Sequence, residues 1–263
     1  MQELDNKIQE LLNTMSPITL EQMSDIRLMN RLDTKYVASK EQLIKLLHLV
    51  QEKYYVQETL DNRIIPYLTT YYDTDDHAMY IMHHNKRARR KKVRVRTYVQ
   101  SGDTFLEVKN KNNHGRTKKK RISVPSQDNF RDTEGARELV QRKAGLNLDE
   151  LNAVVRNQFD RVTLVNKGKT ERLTIDFNIG FHNFETERDH GTDKLVIIEL
   201  KRDGNVFSPV CNLLRDIHVH PTGFSKCCIG MALTDPGLKQ NNFKPKLRKL
   251  EKINGTPFID HEL

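Results

Sequence analysis

Apolar positions along this 263-residue chain follow two rhythms. From residue 40 to 54, KEQLIKLLHLVQEKY places apolar residues three and four apart, which predicts an amphipathic helix, and Ser39 with Gln42 supplies a capping box. Similar spacing predicts one or two helices within residues 1–30, with IQELLNTM as the apolar stripe and a second capping box from Thr19 to Gln22. DTEGARELVQRKAG reads as a helix stopped by Gly145. SPVCNLLRDI reads as one capped by Ser208 with Pro209 at its first position, and SKCCIGMALTD as another. Residues 75–85 read as a short helix or a loop, and the last two dozen, basic and rich in Pro and Asn, as a loose tail.

The second rhythm alternates every other residue and predicts strands. RLDTKYVAS, RIIPYLTTYYDT, KKVRVRTYVQ, TFLEVKNK, KKKRISVP, AVVRNQFDRVTLVN, ERLTIDFNIGF and KLVIIELK follow one another along the chain. Turns at Ser101-Gly102-Asp103 and Lys167-Gly168-Lys169 make hairpins of two successive pairs. About eight strands with helices between some of them imply an α+β fold, an antiparallel β-barrel or tunnel with helices packed on the outside, rather than a doubly wound parallel sheet. No internal repeat is present. The expected organisation is one domain over 1–263: N-terminal helices to residue 30, a tunnel core over 31–232, and a basic C-terminal tail over 233–263.

The alternation also sorts charge. Lys92, Arg94, Arg96 and Tyr98 share one face of their strand, and Val93, Val95, Thr97 and Val99 the other. Phe105, Glu107, Lys109 and Lys111 likewise oppose Thr104, Leu106 and Val108. Arg172, Thr174, Asp176 and Asn178 share a face, as do Arg161, Phe159 and Thr163, and Lys35 with Asp33 and Val37. A half-exposed sheet explains each strand singly. It does not explain the set, in which Arg and Lys outnumber carboxylates and would repel across strands unless an anion neutralised them. In KLVIIELK, apolar residues on both faces predict a strand covered on both sides, with Glu199 in its middle. A buried carboxylate must be paired, hydrogen-bonded, protonated or metal-bound, and a salt bridge to an arginine of a neighbouring strand is the plainest of these. A wet, basic interior accommodates all of these charges together.

Composition narrows the partner. Hydrophobic residues make up 37% and charged residues 30%, with a formal net charge of +9, which points to a polyanion. Three cysteines make no disulfide framework, and the acidic, amphipathic N-terminus is unlike a signal peptide. No apolar run approaches the ~20 residues of a membrane span, so a cytoplasmic protein is expected. HNKRARRKK and RTKKKR resemble nucleic-acid patches, but the strands lack the paired aromatics that stack bases, so no specific nucleic acid is expected. Cys211, His218, His220, Cys227 and Cys228 fit no common zinc spacing and read better as structural residues. His83-His84 read as surface residues, and so does His114, which lies near the basic strands.

The motifs DTKYVAS, YYDT, VRVRTY, FLEVKNK, RLTIDFN, IIELK and GFSKCCIG, in this order over roughly residues 30–232, resemble the VTC domain, the polyphosphate polymerase branch of the triphosphate tunnel metalloenzymes. The resemblance implies a metal-dependent phosphotransferase that moves the γ-phosphoryl group of ATP onto a growing polyphosphate chain inside a basic tunnel, releasing ADP. It implies phosphate contacts and catalytic roles for Arg94, Arg96, Lys109, Arg161, Arg172 and Lys226, with Lys35, and Lys120 or Arg121, as further phosphate contacts. Glu199 is implied as the ligand of Mn²⁺ or Mg²⁺, with Glu107 as a second carboxylate. Hydrolytic tunnel enzymes carry Glu-x-Glu-x-Lys where this chain has Glu107-Val108-Lys109-Asn110-Lys111, which disfavours a two-metal hydrolase. The alternatives are an inorganic or nucleoside triphosphatase using the same tunnel, and a non-catalytic polyphosphate- or nucleotide-binding module. ATP, phosphate and polyphosphate are the expected partners. The eukaryotic polymerase works with a membrane portion, so a separate membrane protein is a candidate docking partner.

Overall fold

Every second residue of most strands is apolar, and a sheet with two buried faces is what that alternation becomes once both sides are covered. The computed structural model describes residues 2–23, 31–113, 116–204, 207–255 and 257–258. In chain order the elements are α1 (Gln2–Thr14), β1 (Pro17–Ile18), β2 (Arg31–Ser39), α2 (Lys40–Val50), β3 (Tyr54–Gln57), β4 (Ile65–Asp73), α3 (Ala78–His84), β5 (Arg90–Tyr98), β6 (Thr104–Lys111), β7 (Thr117–Val124), α4 (Ala136–Ala144), β8 (Asn152–Asn166), β9 (Glu171–Asn183), β10 (Asp189–Thr192), β11 (Leu195–Asp203), α5 (Pro209–Asp216), α6 (Lys226–Thr234) and α7 (Lys244–Asn254).

All the strands join one 11-stranded sheet whose main path runs β2-β11-β9-β8-β4-β5-β6-β7. Neighbours on the path are antiparallel. β10 extends from β9, β3 pairs with β8, and β1 pairs in parallel with β3. The eight strands of the path are the eight read from the alternation, and β1, β3 and β10 are too short to have shown there. The sheet curls. Lys35 on β2 donates to the carbonyl of Phe224 at 3.1 Å, and Lys92 on β5 donates to the hydroxyl of Ser225 at 2.7 Å. β2 and β5 lie five strand spacings apart, about 24 Å in a flat sheet at ~4.8 Å each. Adjacent residues can reach both only if the sheet wraps around them. The result is the expected α+β tunnel, open on one side because its edge strands β2 and β7 do not pair among the described residues. Lys118, Lys119, Lys120 and Arg121 stand exposed on β7, and an edge so charged is a poor template for another strand.

Helices cover the outer face in two places. Leu43, Leu46, Leu47 and Val50 of α2, with Ile8 and Leu12 of α1 and Val210 and Leu214 of α5, pack on Ala38, Leu164, Leu173, Ile175, Ile198 and Leu200. Ala136, Val140 and Ala144 of α4 pack on Val93, Val95, Leu106 and Val108. The expectation that all helices lie outside is corrected by α6 and α7. Ile229, Met231 and Ala232 of α6 and Leu247 and Leu250 of α7 pack on Val37, Tyr71, Val155, Phe159, Ile179, Phe181 and Ile197 of the inner face.

The predicted loose tail is likewise corrected. Residues 244–254 form α7, whose Leu247 and Leu250 are buried, and Gly255 ends it at φ +75°, a conformation that suits glycine. Ser39 and Gln42 form the expected reciprocal cap on α2. Thr19 and Gln22 make the same pair of bonds around a turn; α1 is one of the one or two helices expected within residues 1–30, of which residues 24–30 lie outside the described residues. Ser208 precedes α5 at the cap position, but its hydroxyl makes no cap bond. No helix among the described residues is long and apolar enough to cross a membrane.

Gly230 lets α6 enter the curl. A Cβ at that position would stand 2.8 Å from Cε1 of the buried Phe181 ring. Gly230→Ala should therefore cost a net ~1–2 kcal/mol, overpacking outweighing the gain in helix propensity. Thermal unfolding should show Tm lower by roughly 2–6 °C; an unchanged or higher Tm would mean that α6 is not seated against β9.

Candidate functional site

The inner face is set by strand pairing. Residues directly opposite one another project to the same side, so the register carries Lys35, Glu199, Thr174, Asp176, Arg161, Tyr67, Thr69, Arg94, Arg96, Glu107 and Lys109 to one surface. Arg94 and Arg96 are 6% and 7% exposed, while Val93 and Val95 behind them are completely buried. The basic face of this hairpin thus looks inward, and its apolar face lies under α4.

Three inner carboxylates, Glu107, Asp176 and Glu199, are each shared between two cations. Arg94 Nε donates to Glu107 Oε2 at 2.6 Å, a second guanidinium nitrogen pairs with the same oxygen, and Lys119 Nζ holds Oε1 at 2.9 Å. Arg94 Nη1 also donates to the Tyr71 hydroxyl at 3.3 Å. Arg161 grips Asp176 with two bonds of 2.5 and 2.7 Å, and Lys226, the first residue of α6, pairs with the same carboxylate. Lys201 Nζ lies 2.9 Å from Glu199 Oε2, and Lys35 Nζ 3.9 Å from Oε1. Aromatic rings floor the middle of the face. Tyr67 and Phe159 stack with centroids 5.3 Å apart, beneath Arg96 (5.4 Å from Tyr67), Arg161 (4.9 Å from Tyr67) and Lys226 (4.1 Å from Phe159). Such contacts favour a cation held out of water.

The charges are mutually perturbed. Burial would raise the Glu107 and Asp176 carboxyls, but the cations beside them (Arg94, Arg96 and Lys119; Arg161 and Lys226) hold both far below the usual range. Burial opposes ionisation of Glu199 as well, and Lys201 and Lys35 overcome it to set its pKa at about 2. On the cationic side, burial and then the neighbouring Arg94 and Arg161 push Arg96 down to about 10. Arg94, then burial and Arg96, push Lys109 well below the lysine range, with a further contribution from Lys35 across the curl. Burial brings Lys226 to about 8 against the pull of Asp176. Cations forced towards neutrality by one another form a site that an anion would relax.

Lys35, Arg94, Arg96, Lys109, Arg161 and Lys226 come together here. Arg172 lies on β9 opposite Lys201, on the same face as Asp176. Lys120 does not join them. It stands across from Val108, so the pleat turns it to the other face, while Lys119 and Arg121 oppose Lys109 and Glu107. Arg121 sits over the Phe105 ring at 4.1 Å. His114 lies outside the described residues.

Of the two expected metal ligands, Glu107 does not fit. It is fully buried with both oxygens committed to cations, and is placed as a clamp on Arg94 and Lys119. Glu199 fits better, because its Oε1 is beyond hydrogen-bond reach of Lys35, and Mg²⁺-like ions need only one or two carboxylates beside phosphate oxygens and water. The salt bridge expected for Glu199 is made with lysines rather than an arginine. A separate group, His77, Glu185 and Asp235, brings potential ligand atoms within 4.8 Å of one another at the other end of α6 from Lys226. The three cysteines are free.

Lys119, Lys201, Tyr71, Thr69, Ser225 and Asn157 belong to this surface without having been singled out from the sequence. Lys201 and Asn157 could have been found by carrying the alternation two residues further from Glu199 and Phe159. Ser225 caps α6, accepting from the Cys228 amide at 3.2 Å while Lys92 donates to it, and only the fold brings Lys92 there.

A family model described as the VTC domain matches residues 30–234. No curated protein matches the chain. Among solved structures, a candidate adenylyl cyclase from Hippeastrum, described as revealing a dominant triphosphatase activity, is 12% identical with a TM-score of 0.51, over 78% of this chain and 97% of its own. A candidate adenylate cyclase from Bacillus halodurans is 11% identical with a TM-score of 0.48, over 75% of this chain and 96% of its own. At such identities the Hippeastrum likeness speaks for the fold.

Removing one charge of a buried pair strands the others. Glu107→Gln should destabilise the protein by about 3 kcal/mol, read as a lower denaturation midpoint in urea. An unchanged midpoint would show that Arg94 and Lys119 do not depend on Glu107.

Proposed function

This chain belongs to the VTC domain family, and from that premise we propose that it is a polyphosphate polymerase, transferring the γ-phosphoryl group of ATP to the end of a polyphosphate chain held on the basic inner face. Family and fold speak for an enzyme of triphosphate or polyphosphate chemistry. The observation that carries the finer reading is the crowd of cations on the inner face, Arg94 and Arg96 buried and Lys109, Arg161 and Lys226 half-buried, whose own carboxylates are too few to neutralise them.

Phosphoryl transfer asks a protein mainly for positioning and for stabilisation of charge on the equatorial oxygens. Arg94 and Arg161 are held rigid by Glu107 and Asp176, so their remaining N–H groups are preorganised for phosphate oxygens. Lys226 and Ser225 present the N-terminus of α6, where unpaired backbone N–H groups also favour phosphate. A terminal phosphate oxygen of the acceptor chain attacks the γ-phosphorus as the bond to the ADP oxygen breaks. That oxygen is already ionised, so the protein need supply no general base. Glu199 would hold Mn²⁺ or Mg²⁺, which would supply positive charge to neutralise the phosphate groups.

The activity described for the Hippeastrum neighbour motivates a second reading, triphosphate hydrolysis on the same face. Against it, Lys109 stands where the resemblance implies that hydrolytic relatives carry a second glutamate.

Protein incubated with ATP and Mn²⁺ should yield a polyphosphate ladder with matching ADP. Phosphate without a ladder would overturn polymerisation in favour of hydrolysis. Glu199→Gln should lose metal-dependent turnover with the fold intact, and Arg94→Ala should weaken triphosphate binding roughly 10- to 150-fold, the worth of one charged hydrogen bond of about 1.5–3 kcal/mol. Full activity in the first variant, or unchanged affinity in the second, would remove that residue from the site.

A pH signature follows from Lys226. It is charged below its pKa of about 8 and neutral above it, and a bound polyanion favours the charged form and raises that pKa. Triphosphate binding near pH 8–9 should therefore take up protons and weaken as pH rises. Calorimetry in buffers of different ionisation enthalpy reads the uptake; binding enthalpies independent of the buffer would exclude it.

A further inference from the structure

Asn157 is fully buried, and neither its Oδ1 nor its Nδ2 has a hydrogen-bond partner among the described residues. A carboxamide carries two donors and two acceptor lone pairs, and leaving them empty in the interior is costly. Its place is defined by the register. It stands on β8 directly across from Thr69 of β4, which stands across from Arg96 of β5. Arg96 Nε donates to Thr69 Oγ1 at 3.1 Å. Phe159, two residues along β8, faces inward beneath Lys226, so Asn157 faces inward too.

Its chemistry differs from its surroundings. Arginine and lysine only donate, and Thr69 Oγ1 is already accepting from Arg96. Asn157 therefore adds a free neutral acceptor beside a free donor. An internal unit of a phosphate chain has no acidic proton near neutral pH. A terminal unit does, since its second ionisation falls near pH ~6, so its P–OH can donate to Oδ1 while another of its oxygens accepts from Nδ2. Resting on the phosphate-binding reading of the same face, we propose that Asn157 binds the terminal phosphoryl group of a phosphate chain, beside Thr69 and Arg96, and so makes the site select chain ends over internal segments.

The test compares linear triphosphate, which has ends, with cyclic trimetaphosphate, which has none, by calorimetry near pH 6.5 on wild type, Asn157→Leu and Arg94→Ala. Asn157→Leu should weaken triphosphate binding about 10-fold or more and leave trimetaphosphate within about 2-fold. Because the change removes an unpaired polar group, Tm should hold or rise. A lower Tm with both affinities intact would overturn the proposal and make Asn157 a structural residue served by buried water. Equal weakening of both anions would overturn end selection. Should the leucine variant not fold, Asn157→Ala carries the same comparison. Triphosphate binding that Arg94→Ala weakens and Asn157→Leu leaves alone would sink the Asn157 assignment alone. Wild-type protein that bound neither anion would sink the phosphate reading together with it.

Discussion

The structure turns on the sharing of three inner carboxylates, each between two cations. Glu107 lies between Arg94 and Lys119, Asp176 between Arg161 and Lys226, and Glu199 between Lys201 and Lys35. Desolvating so much positive charge is expensive, and the carboxylates offset it only in part. What remains uncompensated is visible in Arg96, Lys109 and Lys226, all shifted towards neutrality. An anion placed on this face would remove that repulsion. The same shared pairs hold the guanidinium groups in fixed directions, which separates a binding surface from a merely positive one.

That arrangement needs a sheet buried on both sides. α1, α2, α4 and α5 cover the outer face with a conventional apolar core, and the curl encloses the inner one. α6 has two roles. Its apolar body fills one part of the interior against Phe181, Ile179 and Val155, and its first turn delivers Ser225 and Lys226 to the charged part. Lys35 from β2 and Lys92 from β5 both anchor on residues 224 and 225. The segment before α6 therefore ties together walls that hydrogen bonding between edge strands leaves apart.

Aromatic residues mediate between the two parts. Tyr67 and Phe159 turn their faces to Arg96, Arg161 and Lys226, so three of the inner cations stand over rings.

Much of this was legible in the chain, because a strand's pleat has a period of two wherever it lies. The alternation in KKVRVRTYVQ separates Arg94 and Arg96 from Val93 and Val95, and the excess of lysine and arginine on one set of faces marks those faces as the ones an anion would neutralise. Seven motifs in order identify the family. The pattern could not say which cation each carboxylate holds, since that depends on register between strands remote in sequence. Register turned Lys120 outward and brought Lys119 in. It committed both oxygens of Glu107 to Arg94 and Lys119, and it set Asn157 beside Thr69 with no hydrogen-bond partner among the described residues. α7 looked loose because two leucines among lysines make a weak stripe, and only the inner face of β2 and β11 gave them somewhere to pack. Alternation is local and survives in the sequence, whereas pairing across a curled sheet is a long-range choice that exists only once the strands have met.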